Sequence, residues 1–155
     1  MSETVSPPQP VFNIEKLYVK DLSLEIPHAP AIFLERDQPQ VDLQLNTQSS
    51  VVSDGMYEVT ITVTVTSRLV AKNQIMFLIE AKQAGIFQLR NLPQEELAPV
   101  LGVVCPNILY PYLREVVSDL AVRAGFAPVL LNPINFEVLY QQQQQQAAPE
   151  AVTTH

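Results

Sequence analysis

One segment near the middle of the chain alternates strictly between apolar and polar side chains, and this alternation constrains the fold more than any other feature. In residues 57–66 the odd positions carry Tyr, Val or Ile, and the even positions carry Glu or Thr. A period of two puts every apolar side chain on the same face of a strand. The segment therefore predicts a strand of an antiparallel sheet with one buried face and one solvated face.

Three further segments predict the rest of a four-stranded sheet. Residues 12–26 alternate with two slips of phase, which predicts one long strand with one or two bulges. Residues 41–45 predict a short strand that ends in a turn across the polar run 46–55, and residues 74–81 predict the partner of the central strand. That partner is apolar on both faces, so we expect another element or a bound molecule to cover its second face.

The last third of the chain predicts helices. Pro93 begins an acid-rich segment typical of a helix start, and residues 111–124 carry apolar side chains around about half of the helix circumference. A surface helix commonly shows an apolar stripe of about 100°, so one side of this helix should pack on the sheet and the rest should need another partner. Pro106 is expected to end one short helix and Pro111 to begin the next, which predicts a hinge within residues 102–115.

Residues that favour caps and turns predict where this helix ends and where a last helix begins. Gly125 is well placed for a C-terminal cap. Residues 126–131 then predict an extended connection. Asn132 and Pro133 are expected to open a last helix that continues through Tyr140.

The composition limits the class of protein. A chain of 155 residues with 47% hydrophobic content fits one compact domain. We place this domain at residues 11–140. A flexible arm at 1–10 precedes it and a glutamine-rich mobile tail at 141–155 follows it. The N-terminus lacks the basic and apolar runs of a signal peptide, and no apolar stretch approaches the length of about 18 residues typical of a membrane span. We therefore expect a cytoplasmic protein that does not insert into a membrane. The formal charge of -7 disfavours nucleic acid as a partner and favours a basic one.

Reactive residues are scarce. The chain has one cysteine, Cys105, and two histidines, His28 and His155, and it lacks the sequence motifs of hydrolases, metalloproteases and phosphate-binding loops. We therefore expect no catalytic residue, no metal site and no cofactor, and we interpret Cys105 as a buried apolar residue. The shortage of histidine also disfavours an enzyme, because histidine is the most common general base.

Two interpretations remain open for five aromatic side chains: Phe33, Phe77, Phe87, Phe136 and Tyr140. They are either ordinary core residues or the lining of a groove between the sheet and a helix. Such a groove would bind extended apolar polypeptide by burying its side chains and, along a strand edge, by backbone hydrogen bonds.

Residues 105–115, Cys-Pro-Asn-Ile-Leu-Tyr-Pro-Tyr-Leu-Arg-Glu, resemble the signature of the SecB-type protein-export chaperones, and the similarity extends over residues 12–140. The resemblance implies an α+β fold, in which a long and a short helix pack on one side of a four-stranded antiparallel sheet. It also implies a homotetramer, a dimer of dimers with the long helices between the sheets. Members of the family hold non-native preproteins in an unfolded, translocation-competent state without ATP and deliver them to the motor SecA.

The resemblance also implies three groups of site residues. The acidic surface that contacts SecA corresponds to Asp21, Glu25, Leu78 and Glu80. The client groove corresponds to Phe33, Val41, Leu43, Phe77, Ile134, Phe136, Leu139 and Tyr140. The oligomer interface is expected on the long helix, at Tyr112, Leu113, Val116, Val117 and Leu120. The zinc of the family's export complex would belong to SecA.

The chain departs from the family pattern at two places. Gln38 precedes Pro39 where relatives carry a tryptophan, which removes one aromatic side chain from the groove region. The tail has only Glu150 as an acid, so a SecA contact through an acidic tail is not expected. Two alternatives remain open beside the export chaperone. One is a SecB-like chaperone dedicated to a single partner such as an antitoxin, and the other is a small-molecule-binding or catalytic α+β protein.

Overall fold

The computed structural model describes residues 8–147. Most of the arm predicted at 1–10 and of the tail predicted at 141–155 lies outside the described residues. The described chain confirms the predicted α+β fold with a four-stranded antiparallel sheet. Its strands are β1 (Val11–Glu25), β2 (Gln40–Ser53), β3 (Met56–Leu69) and β4 (Gln74–Arg90), arranged in the order β1-β4-β3-β2.

The phase slips in the first strand are confirmed as two irregularities in its pairing with β4. Register shifts lie between Ile14 and Lys16 and between Val19 and Asp21. Each shift inserts an extra residue, so the apolar side chains before and after it stay on one face of the sheet.

The turn predicted across residues 46–55 is wrong. Strand β2 continues to Ser53 and pairs with β3 from Gln40, with one register shift between Val51 and Ser53, and the connection is confined to Asp54 and Gly55. Gly55 has a φ of 72°, the left-handed conformation that a tight hairpin turn requires. The backbone ladder does not depend on apolar side chains, so the polar Thr and Ser residues of β2 do not end it.

The hinge predicted within residues 102–115 is also wrong. One continuous long helix, α1, spans Gln94–Arg123, and the short segment Val100–Val104 within it is a π-helix. A proline normally breaks a helix because it removes a hydrogen bond and its ring clashes with the carbonyl four residues earlier. The wider π turn changes the pairing of those carbonyls just before Pro106, and Pro111 is also accommodated within the helix.

The buried side of α1 packs against the central strands. Leu109, Leu113 and Val117 are fully buried there. A methyl group on Gly85 of β4 would lie 3.0 Å from Leu17 Cδ2 and 3.1 Å from Leu109 Cδ2. The helix therefore crosses the sheet closely above Gly85, and only a residue without a side chain fits there.

Helix α1 contradicts the expectation that no apolar stretch approaches the length of a membrane span. By length and composition, Gln94–Arg123 would be long and apolar enough to cross a membrane, a property that core helices of soluble proteins share. Only 28% of its apolar window is buried by the described part of the chain. Much of this apolar helix surface is therefore left uncovered by the chain's own sheet.

The chain leaves α1 through the predicted cap and enters the second helix later than predicted. Gly125 has a φ of 92°, and the amide of Phe126 donates to the carbonyl of Ala121 at 3.0 Å. The short helix α2 spans Phe136–Ala147 and not a segment opened by Pro133. The amide of Val138 donates to Asn135 Oδ1 at 3.1 Å, so Asn135 caps the helix.

Candidate functional site

An apolar groove lies between the β2 end of the sheet and the segment that joins the two helices. Its volume is about 580 Å³. The residue before β2, the first part of β2, the end of β3, the start of β4 and the connecting segment line it: Pro39, Val41, Leu43, Ser67, Met76, Phe77, Phe126, Ala127, Pro128, Val129, Leu130, Leu131, Asn132 and Ile134.

The groove lining carries no charged side chain. Its most deeply buried polar group is the hydroxyl of Ser67, which donates to the sulfur of Met76 at 3.8 Å. That hydroxyl is therefore already used within the wall. Such a surface binds by burying apolar groups, which is not directional and accepts many sequences.

Four of the residues predicted for the client groove line it. They are Val41 and Leu43 on β2, Phe77 on β4, and Ile134 before α2. The crossover residue Phe33 stacks on Phe126 with ring centroids 5.1 Å apart, and Phe126 meets Phe77 at 4.7 Å. Phe33 thus extends the aromatic side of the groove through Phe126.

The other three predicted groove residues lie elsewhere. Phe136 is buried against Tyr110, edge to face, with ring centroids 5.5 Å apart. Tyr140 packs on Gly102 of the π-helical segment, and Leu139 beside it is half-buried. Phe136 and Tyr140 attach α2 to α1, and none of the three side chains lines the groove.

Sequence reasoning missed the contribution of residues 126–131 to the groove. This segment, Phe-Ala-Pro-Val-Leu-Leu, was predicted only as a connection, yet every residue in it is apolar. Leu130 is 78% exposed. A fully apolar connector is itself a signal, because an exposed connection normally carries polar side chains.

The residues predicted to contact SecA share the solvent face of β1 and β4. The pairing runs without a shift from Asp21 to Glu25, so both carboxylates project from the same face. Glu25 pairs with Leu78, while Glu80 pairs with Ser23 between the two acids. Asp21 and Glu25 are exposed, and Leu78 and Glu80 are half-buried.

Another acid on the same sheet, Glu58, is occupied by its own partners. Lys20 Nζ lies 2.7 Å from its carboxylate, and the Tyr18 hydroxyl donates to it. These hydrogen bonds, the one from Lys20 first, lower the pKa of Glu58. Burial, followed by the contact with Glu58, raises the pKa of Tyr18 to about 12. Glu58 is therefore a paired charge and adds little to the acidic surface.

The five residues predicted for the oligomer interface divide into two sets. Leu113 and Val117 have no exposed surface and belong to the core of the chain itself, so they are not available to another chain. Tyr112 is 49% exposed, and Val116 and Leu120 are half-buried. The α1 face that another chain can reach therefore includes only the second set.

An apolar strip on edge strand β1 is a second uncovered surface. Four large side chains contribute to it, each 39% to 46% exposed: Phe12, Ile14, Val19 and Leu22. Their pairing partners on β4, such as Phe87 and Ala81, are buried, so the strip lies on the face that carries the helices. A monomer rarely exposes so many large apolar groups together.

The one cysteine and the possible metal ligands among residues 8–147 are the side chains to consider for reactive chemistry. No group of three or more metal-ligating side chains occurs in this part of the chain. The thiol of Cys105 is fully buried, and burial raises its pKa to about 12. A protonated, enclosed thiol is a poor nucleophile. The fold and the groove together define an α+β binding protein.

Comparison with known proteins identifies the family. The family described as preprotein translocase subunit SecB matches residues 6–147. The protein-export protein SecB of Nitrosomonas eutropha is 64% identical over 140 residues, which cover 90% of this chain and 88% of that protein. The corresponding protein of Methylobacillus flagellatus is 59% identical over 148 residues, covering 95% and 93%. The chain belongs to the SecB family of protein-export chaperones.

A solved structure shares the fold. A SecB-like chaperone of Mycobacterium tuberculosis, in complex with a ChAD peptide from the HigA1 antitoxin, has a TM-score of 0.65 and 21% sequence identity, over 79% of this chain and 90% of that chain.

The SecB family consists of chaperones and not of enzymes.

Proposed function

We propose that this chain binds non-native secretory preproteins in its apolar groove, holds them unfolded in the cytoplasm and delivers them to SecA without catalysis or a cofactor. The observation that carries the proposal is the uncharged groove of about 580 Å³. Burial contributes about 25 cal/mol for each Å² of apolar surface, so several modest contacts hold a client. Because none of them needs a particular sequence, many different clients are accepted.

One pair of variants on a single strand tests the groove. Val41 lines the groove and is 45% exposed, whereas Val51 lies at the far end of β2, outside the groove, and is 69% exposed. Val41→Ser is expected to weaken binding of a denaturant-diluted preprotein severalfold in a titration, and Val51→Ser to leave it unchanged. Equal affinities of the two variants for the preprotein would show that the groove is not the client-binding site.

The acidic face of β1 and β4 is proposed as the SecA-docking surface. Asp21, Glu25 and Glu80 present carboxylates on one face, and the net charge of -7 favours a basic partner. Asp21→Lys or Glu80→Lys should weaken SecA binding in a titration and reduce its salt dependence. Glu95→Lys, at the exposed start of α1, is the matched control. A SecA affinity unaffected by the first two variants contradicts the assignment.

We also propose that the chain forms a homotetramer through α1 and β1. The exposed side of α1, with Tyr112, Val116 and Leu120, supports this assembly, as does the apolar strip on β1. Gel filtration with light scattering should give a mass near four chains. Tyr112→Glu should lower that mass, whereas Val70→Glu in the exposed β3–β4 turn should not. A wild-type mass of one chain rules the assembly out.

Two other functions compete with export. A chaperone dedicated to one antitoxin would give a pull-down dominated by one small protein, and a small-molecule-binding protein would bind a metabolite but no unfolded chain. The relatives at 64% and 59% identity are both named for protein export. We therefore favour a general export chaperone.

A further inference from the structure

A polar pocket of about 380 Å³ opens on the face of the sheet that is turned away from the helices. Glu58 and Thr60 of β3 line it, and Val59 between them is fully buried on the opposite face. Lys20 of β1 and Lys82 of β4 complete its charged lining. The chain has nine basic residues against sixteen acids, so a pocket with two lysines and one acid reverses the overall balance of charge.

The one acid of the pocket is already paired. Lys20 Nζ lies 2.7 Å from Oε1 of Glu58, and the Tyr18 hydroxyl donates to Oε2. These hydrogen bonds, the one from Lys20 first, lower the pKa of Glu58, and a further bond from Thr60 adds to the effect. Both carboxylate oxygens therefore have a donor, and the charge of Lys20 is balanced within the pocket.

Lys82 has no such partner. The ion pairs formed among residues 8–147 do not include it. Asp21 faces Lys82 across the β1–β4 pair and Glu80 lies two residues earlier on β4, so both acids project from the same face without pairing with it. Lys82 is half-buried in the pocket wall. Its ammonium group is therefore the unmatched charge of the pocket.

Neutral side chains of the pocket can also donate. Gln48 pairs with Thr60 and Ser50 pairs with Glu58, so both β2 side chains project from this face, and both are exposed. An amide and a hydroxyl donate hydrogen bonds, and an ammonium group carries three donors. An anion can accept from all of them, and a carboxylate is the anion that an unmodified protein partner carries.

The pocket adjoins the acidic surface that we propose as the SecA-docking site. Asp21 pairs with Lys82, and Glu80 lies about 7 Å from Lys82 along β4. A partner with only basic groups on this face would bring a like charge against Lys82, which is unfavourable. A partner with one carboxylate between its basic groups matches both the acids and Lys82.

We propose that the pocket binds a carboxylate that the docked partner, SecA, presents between basic groups, and that Lys82 is the main contact of this carboxylate. The inference rests on the proposed docking of SecA and specifies the chemistry of the docking segment. Lys82 thereby contributes to specificity, because a purely basic segment gains no contact at the pocket and is repelled there.

One charge reversal separates this inference from attraction by net charge alone. Lys82→Glu makes the face more acidic, so net charge alone predicts tighter binding of every basic partner. Loss of the carboxylate contact should instead weaken SecA binding at least about threefold in a titration at fixed ionic strength. An oligolysine peptide, which has no side-chain carboxylate, should bind Lys82→Glu more tightly than wild type.

Lys16→Glu is the matched control. Lys16 is exposed on the same face of β1 but lies outside the pocket, so the substitution changes the charge equally without touching the site. It should not weaken SecA binding. SecA affinity for Lys82→Glu that equals or exceeds that for wild type would overturn the inference, as would an equal weakening by Lys16→Glu.

The docking surface and the pocket fail in different ways. If Asp21→Lys leaves SecA affinity unchanged, the docking surface itself is wrong and the pocket inference fails with it. If Asp21→Lys weakens SecA binding and Lys82→Glu does not, only the pocket inference fails.

A free carboxylate is the competing occupant of the pocket. Calorimetry with succinate should show no saturable binding at millimolar concentration, because Asp21 and Glu80 repel a free dicarboxylate. Saturable succinate binding that Lys82→Glu abolishes, together with a SecA affinity that Lys82→Glu leaves unchanged, would make a free anion the ligand and overturn the inference.

Discussion

Helix α2 is docked on α1 through the contact between Tyr140 and Gly102. Because of this contact, we expect Gly102→Ala to destabilise the wild-type chain but to stabilise a chain that lacks the Tyr140 ring. A β-carbon at position 102 would lie 2.7 Å from Cε2 of the Tyr140 ring. That separation is shorter than van der Waals contact, so Gly102→Ala must displace the ring. Overpacking of this kind costs about 1–3 kcal/mol.

The same substitution has an opposite effect on the backbone. Alanine is more favourable than glycine in a helix interior by about 1 kcal/mol. In the wild-type chain, Gly102→Ala should therefore lower the free energy of unfolding by up to about 2 kcal/mol. In a Tyr140→Ala background the clash is gone, and Gly102→Ala should raise the free energy of unfolding by about 1 kcal/mol. The coupling energy between the two positions is thus about 1–3 kcal/mol.

The assay is urea unfolding followed by circular dichroism at a fixed protein concentration, on the four chains of a double-mutant cycle. A second cycle pairs Gly102→Ala with Val138→Ala, since Val138 is an exposed residue of the same short helix. That control pair should be additive. A coupling energy below about 0.5 kcal/mol for Gly102 with Tyr140 would refute the docking argument.

Three further predictions concern the core, a surface ion pair and the thiol. Leu113 is fully buried, so Leu113→Ala should lower the free energy of unfolding by about 2–5 kcal/mol in urea titrations. Leu130 is 78% exposed, so Leu130→Ala should change the free energy of unfolding little. Similar losses for the two variants would contradict the assigned core. The hydrogen bond from Lys20 lowers the folded-state pKa of Glu58, so this acid stabilises the fold above its unfolded pKa and the benefit is lost as pH falls through the folded value. The difference in urea midpoint between wild type and Glu58→Gln should accordingly shrink from pH 7 to pH 3, and a constant difference would exclude a titration effect. Burial raises the pKa of Cys105 to about 12, so iodoacetamide should label this thiol at pH 8 only after denaturant is added. Rapid labelling of the native chain would show that the thiol is accessible.

Local patterns in the sequence were sufficient for the elements whose burial has a regular period. The alternation over residues 57–66 predicted β3, and the two phase slips predicted both irregularities of β1. Gly125 predicted the end of the long helix. In each case neighbouring residues alone carry the signal, because periodic burial or a special backbone conformation is written into consecutive positions.

The candidate site was predictable only in part. The resemblance to the SecB family placed Val41, Leu43 and Phe77 in a groove, and all three line it. It also placed Tyr140 there, but that side chain packs on Gly102. Which wall an aromatic side chain joins depends on the path of the chain after α1, and that path is set by contacts between distant residues.

The sequence by itself determined the α+β class, the alternation of the central strand, the bulges of the first strand and the SecB family. Tertiary structure decided that polar β2 continues to Ser53, because the β3 backbone is there to accept and donate its hydrogen bonds. It also decided that α1 continues through Pro106 and Pro111, because burial of one helix side against the sheet outweighs the lost hydrogen bonds. Both outcomes depend on partners far away in sequence, which no local pattern records.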